Sequence, residues 1–203
     1  MDENTLINEA KRGDLDAFNR LVLAYERISF HVAYRIMGEQ QSAEDATQDA
    51  FISAYKSLKS FRGGSFRSWL LRIVTNACYD ELRKRKRRPS TSLDDMTDAG
   101  IGFDGDESSG LFSEQQKPEK EVEQLELRMA IERCLELLPG EFKIVAVLVD
   151  VQGLDYQEAS DVIQKPLGTV KSRLARARSR LRDCLQDARE LLPGKYRLED
   201  ETR

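Results

Sequence analysis

One stretch without any periodicity governs how this chain can fold. From residue 89 to residue 117 apolar residues recur at neither helical nor strand spacing, and seven acidic residues face a single base. Gly100, Gly102, Gly105 and Gly110 lie among serines and Asp94, Asp95, Asp98, Asp104, Asp106 and Glu107. Such a composition cannot bury enough apolar surface to order itself, so it reads as a flexible acidic linker. On both sides of it the apolar residues repeat with the 3.6-residue period of a helix. The expected architecture is therefore all-α. Two small helical domains, 1–88 and 118–185, flank the linker at 89–117, and a polar tail, 186–203, follows.

In the first half, Asp14 is a candidate N-cap for a helix over 14–37. Phe18, Leu21, Val22, Tyr25, Val32 and Ile36 follow its apolar stripe, and Gly38 stands where a C-cap belongs. A second helix is expected over 42–60, with Ser42 and Asp45 in capping-box spacing and Ala46, Ala50, Ala54 and Leu58 on one side. Two adjacent glycines in Phe61–Arg62–Gly63–Gly64–Ser65 break the helix. A third runs from about Phe66 to Arg87 with Phe66, Leu70, Ile73, Val74 and Ala77 inward.

In the second half, Pro118 suits the first position of a helix. Leu127, Ala130, Ile131, Cys134, Leu135 and Leu138 form its stripe, and Pro139–Gly140 ends it. Residues 141–151 are ambiguous: the β-branched run favours a strand, the helical neighbours a helix. Asp155 and Glu158 then sit in capping-box spacing at the start of a short helix, and Gln164 to Leu167 make a tight connection. In the following helix Val170, Leu174, Ala177 and Leu181 form a buried stripe. At 100° per residue the opposite face shows Lys171, Ser172, Ala175, Arg176 and Ser179. A short helix, a tight turn and a long helix with a basic outer face make a helix-turn-helix.

Charge supports that reading. The net charge is −4, but residues 165–182 hold seven bases and no acid, and 83–88 is basic throughout. Local potential outweighs the total when the partner is a polyanion. No apolar run approaches membrane-spanning length and the N-terminus has no apolar core, which argues for a cytosolic protein without membrane insertion. Cys78, Cys134 and Cys184 are odd in number and far apart, with His31 the single histidine, so neither a disulfide framework nor a zinc site is expected. Walker loop, dinucleotide fingerprint and nucleophile–base pair are all missing, which argues against an enzyme, a small-molecule substrate or a cofactor. Asp94–Asp95 lacks metal-ligating company in sequence.

The segments DLDAFNRLV (14–22), AEDATQDAFISAYKSLKSFRGGSFRSWLLRIVTNACYDELRKRKRR (43–88), LELLPGEFKIVAVL (135–148) and GLDYQEASDVIQKPLGTVKSRLARARSRLR (153–182) resemble the bacterial extracytoplasmic-function sigma factors of the sigma-70 family. The resemblance implies a sigma-70 region 2 domain, a region 4 helix-turn-helix domain, and a helix at 141–151. It also implies that the chain binds core RNA polymerase, on the largest-subunit clamp helices and the flap, and directs promoter-specific initiation.

Site residues follow position by position. Asp45, Gln48, Asp49 and Ile52 match the surface that docks on the polymerase clamp helices. An outward Ile beside acids suits a contact surface better than a solvated face. The loop Phe61, Arg62, Gly63, Gly64 and Ser65 and the helix residues Arg72, Thr75, Asn76, Tyr79 and Arg83 match the part that opens the −10 element, with Asn76 the first choice for base contact. This loop is one residue shorter than in many relatives. Trp69, at the rim of the apolar stripe, is read as core, and Arg83 to Arg88 as a grip on the duplex backbone. Lys171, Ser172, Ala175 and Arg176 would face the major groove at the −35 element, with Thr169, Arg173 and Arg178 on phosphates. Ala175 departs from the larger side chain some relatives carry. The linker is either a solvated spacer or a nucleic-acid mimic threaded through polymerase. An anti-sigma factor is the implied regulatory partner. The competing reading is a stand-alone helix-turn-helix regulator.

Overall fold

A computed structural model describes residues 2–87 and 118–186, so the linker and tail assignments, Asp94–Asp95 and Arg88 lie outside the described residues. Among the described residues there are eight α-helices and no strand. The first unit comprises α1 (Glu3–Lys11), α2 (Leu15–Met37), α3 (Gln40–Ser57) with a 3₁₀ turn at Leu58–Ser60, and α4 (Phe66–Arg87). The second comprises α5 (Pro118–Glu136), α6 (Gly140–Ala146) continuing into a π-helical turn at Val147–Val151, α7 (Tyr156–Ile163) and α8 (Leu167–Gln186). The β-branched run 141–151 is thus helical, and tertiary packing overrides its strand propensity.

The ends of α2 follow from local chemistry. The Asp14 carboxylate accepts hydrogen bonds from the amides of Asp16 (2.9 Å) and Ala17 (3.1 Å). Gly38 closes the helix at φ +74°, a left-handed position that glycine takes without steric cost. α2 packs on α3 and α4. Ala43, Ala46, Ala50 and Ala54 form a buried stripe on α3, and their small side chains let neighbouring helices approach closely. Between them lie Leu21, Val32, Leu58, Leu70, Leu71 and Val74, each contributing roughly 1.5–3 kcal/mol by leaving water.

α1 adds a helix that the apolar pattern does not announce; it packs on α2, and its Lys11 ammonium donates to the Phe61 carbonyl at 2.5 Å. Three expectations need correction here. Ser42 is not the cap of α3. The helix begins at Gln40, and the Ser42 hydroxyl donates to Glu39 Oε2 at 2.6 Å while accepting from Arg85. Ile131 lies on the exposed side of α5 rather than in its stripe. Cys134 and Cys184 are disulfide-bonded, Cα–Cα 5.8 Å, because α5 and α8 run side by side and erase a sequence separation of 50 residues.

The two units pack against each other, chiefly through α4 and α7, and the apolar residues of α6 and the π turn join the same core as α2 and α4. Polar contacts of Arg67, Ser68 and Arg35 cross the boundary. Arg67 Nη2 donates to the Gln152 carbonyl (2.7 Å), the Ser68 hydroxyl to Glu158 Oε1 (2.8 Å), and Arg35 Nη2 to Glu132 Oε1 (2.6 Å).

Candidate nucleic-acid interface

The second unit forms the helix-turn-helix. α7 starts in a complete capping box: the Glu158 amide donates to Asp155 Oδ1 (2.8 Å) and the Asp155 amide to Glu158 Oε2 (3.0 Å). The turn is made by Gln164 at φ +53°, and the Ser160 hydroxyl ties it down by donating to the Lys165 carbonyl at 2.6 Å. α8 then buries Val170, Leu174 and Ala177. Lys171, Ser172, Ala175 and Arg176 are all exposed, so the structure brings the expected groove-facing set together on one open face. The small Ser172 and Ala175 leave room for a groove wall, and Arg176 carries a free-standing fork of donors.

The expected phosphate-gripping residues are arranged differently. Arg173 is paired with Glu141 at 2.6 Å. Arg178 makes a two-point contact with Asp150, 2.5 and 3.1 Å, and that hydrogen bonding holds its pKa above the ordinary arginine value. Both guanidiniums point at carboxylates of their own unit. Thr169 is half-buried at the start of α8.

In the first unit, Gly63 (φ +100°) and Gly64 (φ +89°) hold backbone conformations that a side chain would strain. The Ser65 hydroxyl accepts from the Ser68 amide at 3.1 Å, capping α4. Arg62, Gly63, Gly64 and Ser65 are exposed. Phe61 is not: its ring is buried against Phe66 and Trp69, centroids 5.6 and 5.4 Å away, so it anchors the loop from beneath. Trp69 belongs to the same aromatic cluster, as its place at the rim of the apolar stripe suggested.

The residues expected on the open face of α4 divide. Asn76 and Arg83 are exposed; Arg72 and Tyr79 are half-buried. Thr75 is 0% exposed and its hydroxyl has no hydrogen-bond partner. Ser68, Arg72, Thr75 and Tyr79 recur at intervals of four, three and four, so they share one stripe. Ser68 at one end of it touches Glu158. Tyr79 at the other lies in the field of Arg173 and Glu141, with burial raising its phenol pKa. The second unit therefore lies along the face assigned to the −10 element.

A third surface lies on α3. Asp45, Gln48, Asp49 and Ile52 are exposed on the side of α3 opposite its alanine stripe. Beside them a groove of about 910 Å³ runs between α2 and α3, lined by Phe18, Val22, Leu23, Phe30, Phe51, Ile52 and Tyr55 with Glu44 and Gln48 at its edge. Leu23 is 73% exposed and Ile52 44%. Leu23 escaped the sequence reading; the signal for it is an apolar residue standing off the stripe of Leu21 and Val22. No group of three or more potential metal ligands occurs among the described residues. No described helix is long and apolar enough to cross a membrane.

Comparison with known proteins agrees with this geometry. Residues 21–88 match the Sigma-70 region 2 family and residues 128–181 the Sigma-70, region 4 family. The chain is 35% identical over 185 residues to the RNA polymerase sigma-H factor of Pseudomonas aeruginosa, covering 91% of this chain and 94% of the relative. It is equally similar, at 35% over 185 residues, to the ECF RNA polymerase sigma-E factor of Escherichia coli K12, with the same coverage. Among solved structures it is similar to CnrH in complex with the cytosolic domain of CnrY, at TM-score 0.60 and 25% identity, covering 92% of this chain and 99% of that one. The fold also resembles the sigma factor RpoE in complex with the anti-sigma factor NepR from Bartonella quintana, at TM-score 0.61 and 24% identity over 83% of this chain and 96% of that one. Matches to regions 2 and 4 in that order, and relatives aligned over nearly the whole length, lead to one conclusion: the chain belongs to the extracytoplasmic-function sigma factors of the sigma-70 family.

Proposed function

We infer that this chain is a promoter-specificity subunit. It binds core RNA polymerase, places it on a promoter by reading a −35 and a −10 element, and helps melt the −10 region. The observation that carries this is the presence in one chain of an open basic recognition face on α8 and a separate apolar groove with acids on α3. A stand-alone regulator needs the first surface only. Domains follow the same division: 1–88 for polymerase docking and the −10 element, 118–185 for the −35 element.

The assignments within it are these. Asp45, Gln48, Asp49 and Ile52 dock on the polymerase clamp helices, and the neighbouring groove extends that contact with Leu23. Lys171, Ser172, Ala175 and Arg176 read base edges in the major groove. Arg62 to Ser65 and Asn76 hold single-stranded DNA, with Arg72, Tyr79 and Arg83 supporting strand and phosphates. Melting costs a few kcal/mol for each unstacked base, so the loop and α4 must offer contacts that offset it. The chain performs no covalent chemistry; it acts with polymerase in the cytoplasm. The similarity to sigma factors solved with anti-sigma factors supports an inhibitory partner of that class.

Run-off transcription with bacterial core polymerase and a pool of promoter fragments tests this. Transcripts that need the protein and fall with Arg176→Ala or Asn76→Ala support it. Tight duplex binding by the protein alone, with neither core binding nor initiation, would overturn it.

A further inference from the structure

We propose that Cys134 and Cys184 are a reversible dithiol–disulfide site that sets how firmly the recognition helix is seated. The pair joins two helices of the DNA-reading unit, with Cα atoms 5.8 Å apart, a separation a disulfide spans without moving backbone. Cys134 is 5% exposed on α5, next to Leu135 in the small apolar cluster of Leu135, Leu138, Phe142, Ala146 and Ala177. Cys184 is half-buried near the end of α8, so solvent reaches it more readily than its partner. Cys78 is a different case: it is fully buried in the first unit, and desolvation pushes its thiol up to about 12. Of the three cysteines, only the α5–α8 pair combines proximity with access.

The proposal rests on the sigma-factor reading in one respect. An RNA polymerase partner places the chain where thiols are kept reduced, and a disulfide there is conditional rather than a permanent staple. A peroxide supplies the oxidant. The Cys184 thiolate attacks one peroxide oxygen, the O–O bond breaks, hydroxide leaves and a sulfenic acid forms. The Cys134 sulfur attacks that sulfur, the S–S bond forms, and the hydroxyl departs with the thiol proton as water. Two electrons pass from the pair to the peroxide; a dithiol reductant returns them by exchange.

The effect follows from position. The bond closes a loop across 50 residues and ties α5 to the same helix that presents Lys171, Ser172, Ala175 and Arg176. α5 carries exposed Leu125, Met129 and Ile131, and besides the disulfide its described attachments include the small apolar cluster and the Glu132–Arg35 pair. Reduction therefore loosens α5 and the far half of α8.

The test uses the full chain. Purified protein is treated with hydrogen peroxide, with dithiothreitol, or with a glutathione buffer in large reduced excess. It is then denatured, and its thiols are counted with a maleimide-polymer tag. The expected result is one tagged thiol after peroxide and three after either reductant, with no intermolecular species. The melting temperature of the second unit should rise on the order of 10 °C on oxidation. Cys78→Ser should keep the shift, whereas Cys134→Ser and Cys184→Ser should abolish it. Three thiols after peroxide, a disulfide that survives the glutathione buffer, or identical melting of both wild-type forms would each overturn the proposal. The wild-type comparison stands even if a serine variant folds poorly. None of these readouts involves polymerase, so a failed run-off assay leaves them intact; run-off with both forms in parallel then reports whether the site is coupled to initiation.

Discussion

Arg176 and Arg178, two positions apart on α8, stand in opposite surroundings. Arg176 projects from the open face, while Arg178 is bound at two points by Asp150. An arginine on a base edge is worth about 1–3 kcal/mol of discrimination. Arg176→Ala should therefore lower −35-dependent run-off transcription roughly 5- to 150-fold, the same energy expressed as a ratio, with an unchanged melting temperature. Arg178→Ala should cost far less transcription, because its guanidinium is already engaged. Equal losses for the two variants would contradict that division. The outward set Lys171, Ser172, Ala175 and Arg176 was legible from 100° spacing alone, since the buried stripe of Val170, Leu174 and Ala177 defines its opposite face. The fate of Arg178 was not: Asp150 is 28 residues away and reaches it only once α6, which runs on into the π turn, packs on α8.

Caps decide where the elements begin, and they show the same contrast. The Asp155–Glu158 box is a local pattern and the structure contains it in full. Replacing such an N-cap typically costs about 1 kcal/mol, so Asp155→Ala should lower the urea midpoint of the second unit, with the slope unchanged. Ser42 and Asp45 have a similar spacing, yet α3 starts earlier because Glu39 bridges to Ser42 and to Arg85 on α4. Both contacts favour the ionised carboxylate and hold the Glu39 pKa below its ordinary value, the Ser42 hydrogen bond most strongly. A depressed folded-state pKa adds stability that is present above the ordinary carboxylate value and lost as pH falls through the lowered one. Urea titrations of the wild type and Glu39→Gln should thus converge in acid and diverge at neutral pH. A gap that persists in acid would show that the bridge acts by packing instead.

At the scale of the whole molecule, the described arrangement covers part of the face proposed for the −10 element. The stripe of Ser68, Arg72, Thr75 and Tyr79 lies against the second unit, so the proposed binding of single-stranded DNA on α4 requires that side to open. Periodicity marked Thr75 as outward because a wheel drawn for one helix has no second unit on it; burial came from packing between units, which no local pattern encodes. The contacts that hold the units together combine a shared apolar core with polar pairs. Arg35 is 13% exposed and Glu132 35%, and Arg67 meets a backbone carbonyl. Pairs of this kind lose much of their worth once one partner goes, because the other keeps its desolvation cost. Arg35→Ala combined with Arg67→Ala should therefore shift the free protein toward separated units. Small-angle scattering of the full chain should show a larger radius of gyration for the double variant, while the melting of each unit stays near its wild-type value, since both side chains lie outside the main apolar core. If the radius does not change, apolar packing of α6 and the π turn on α2 and α4 holds the units by itself. Opening would then fall to polymerase binding, and the charged contacts would be bystanders.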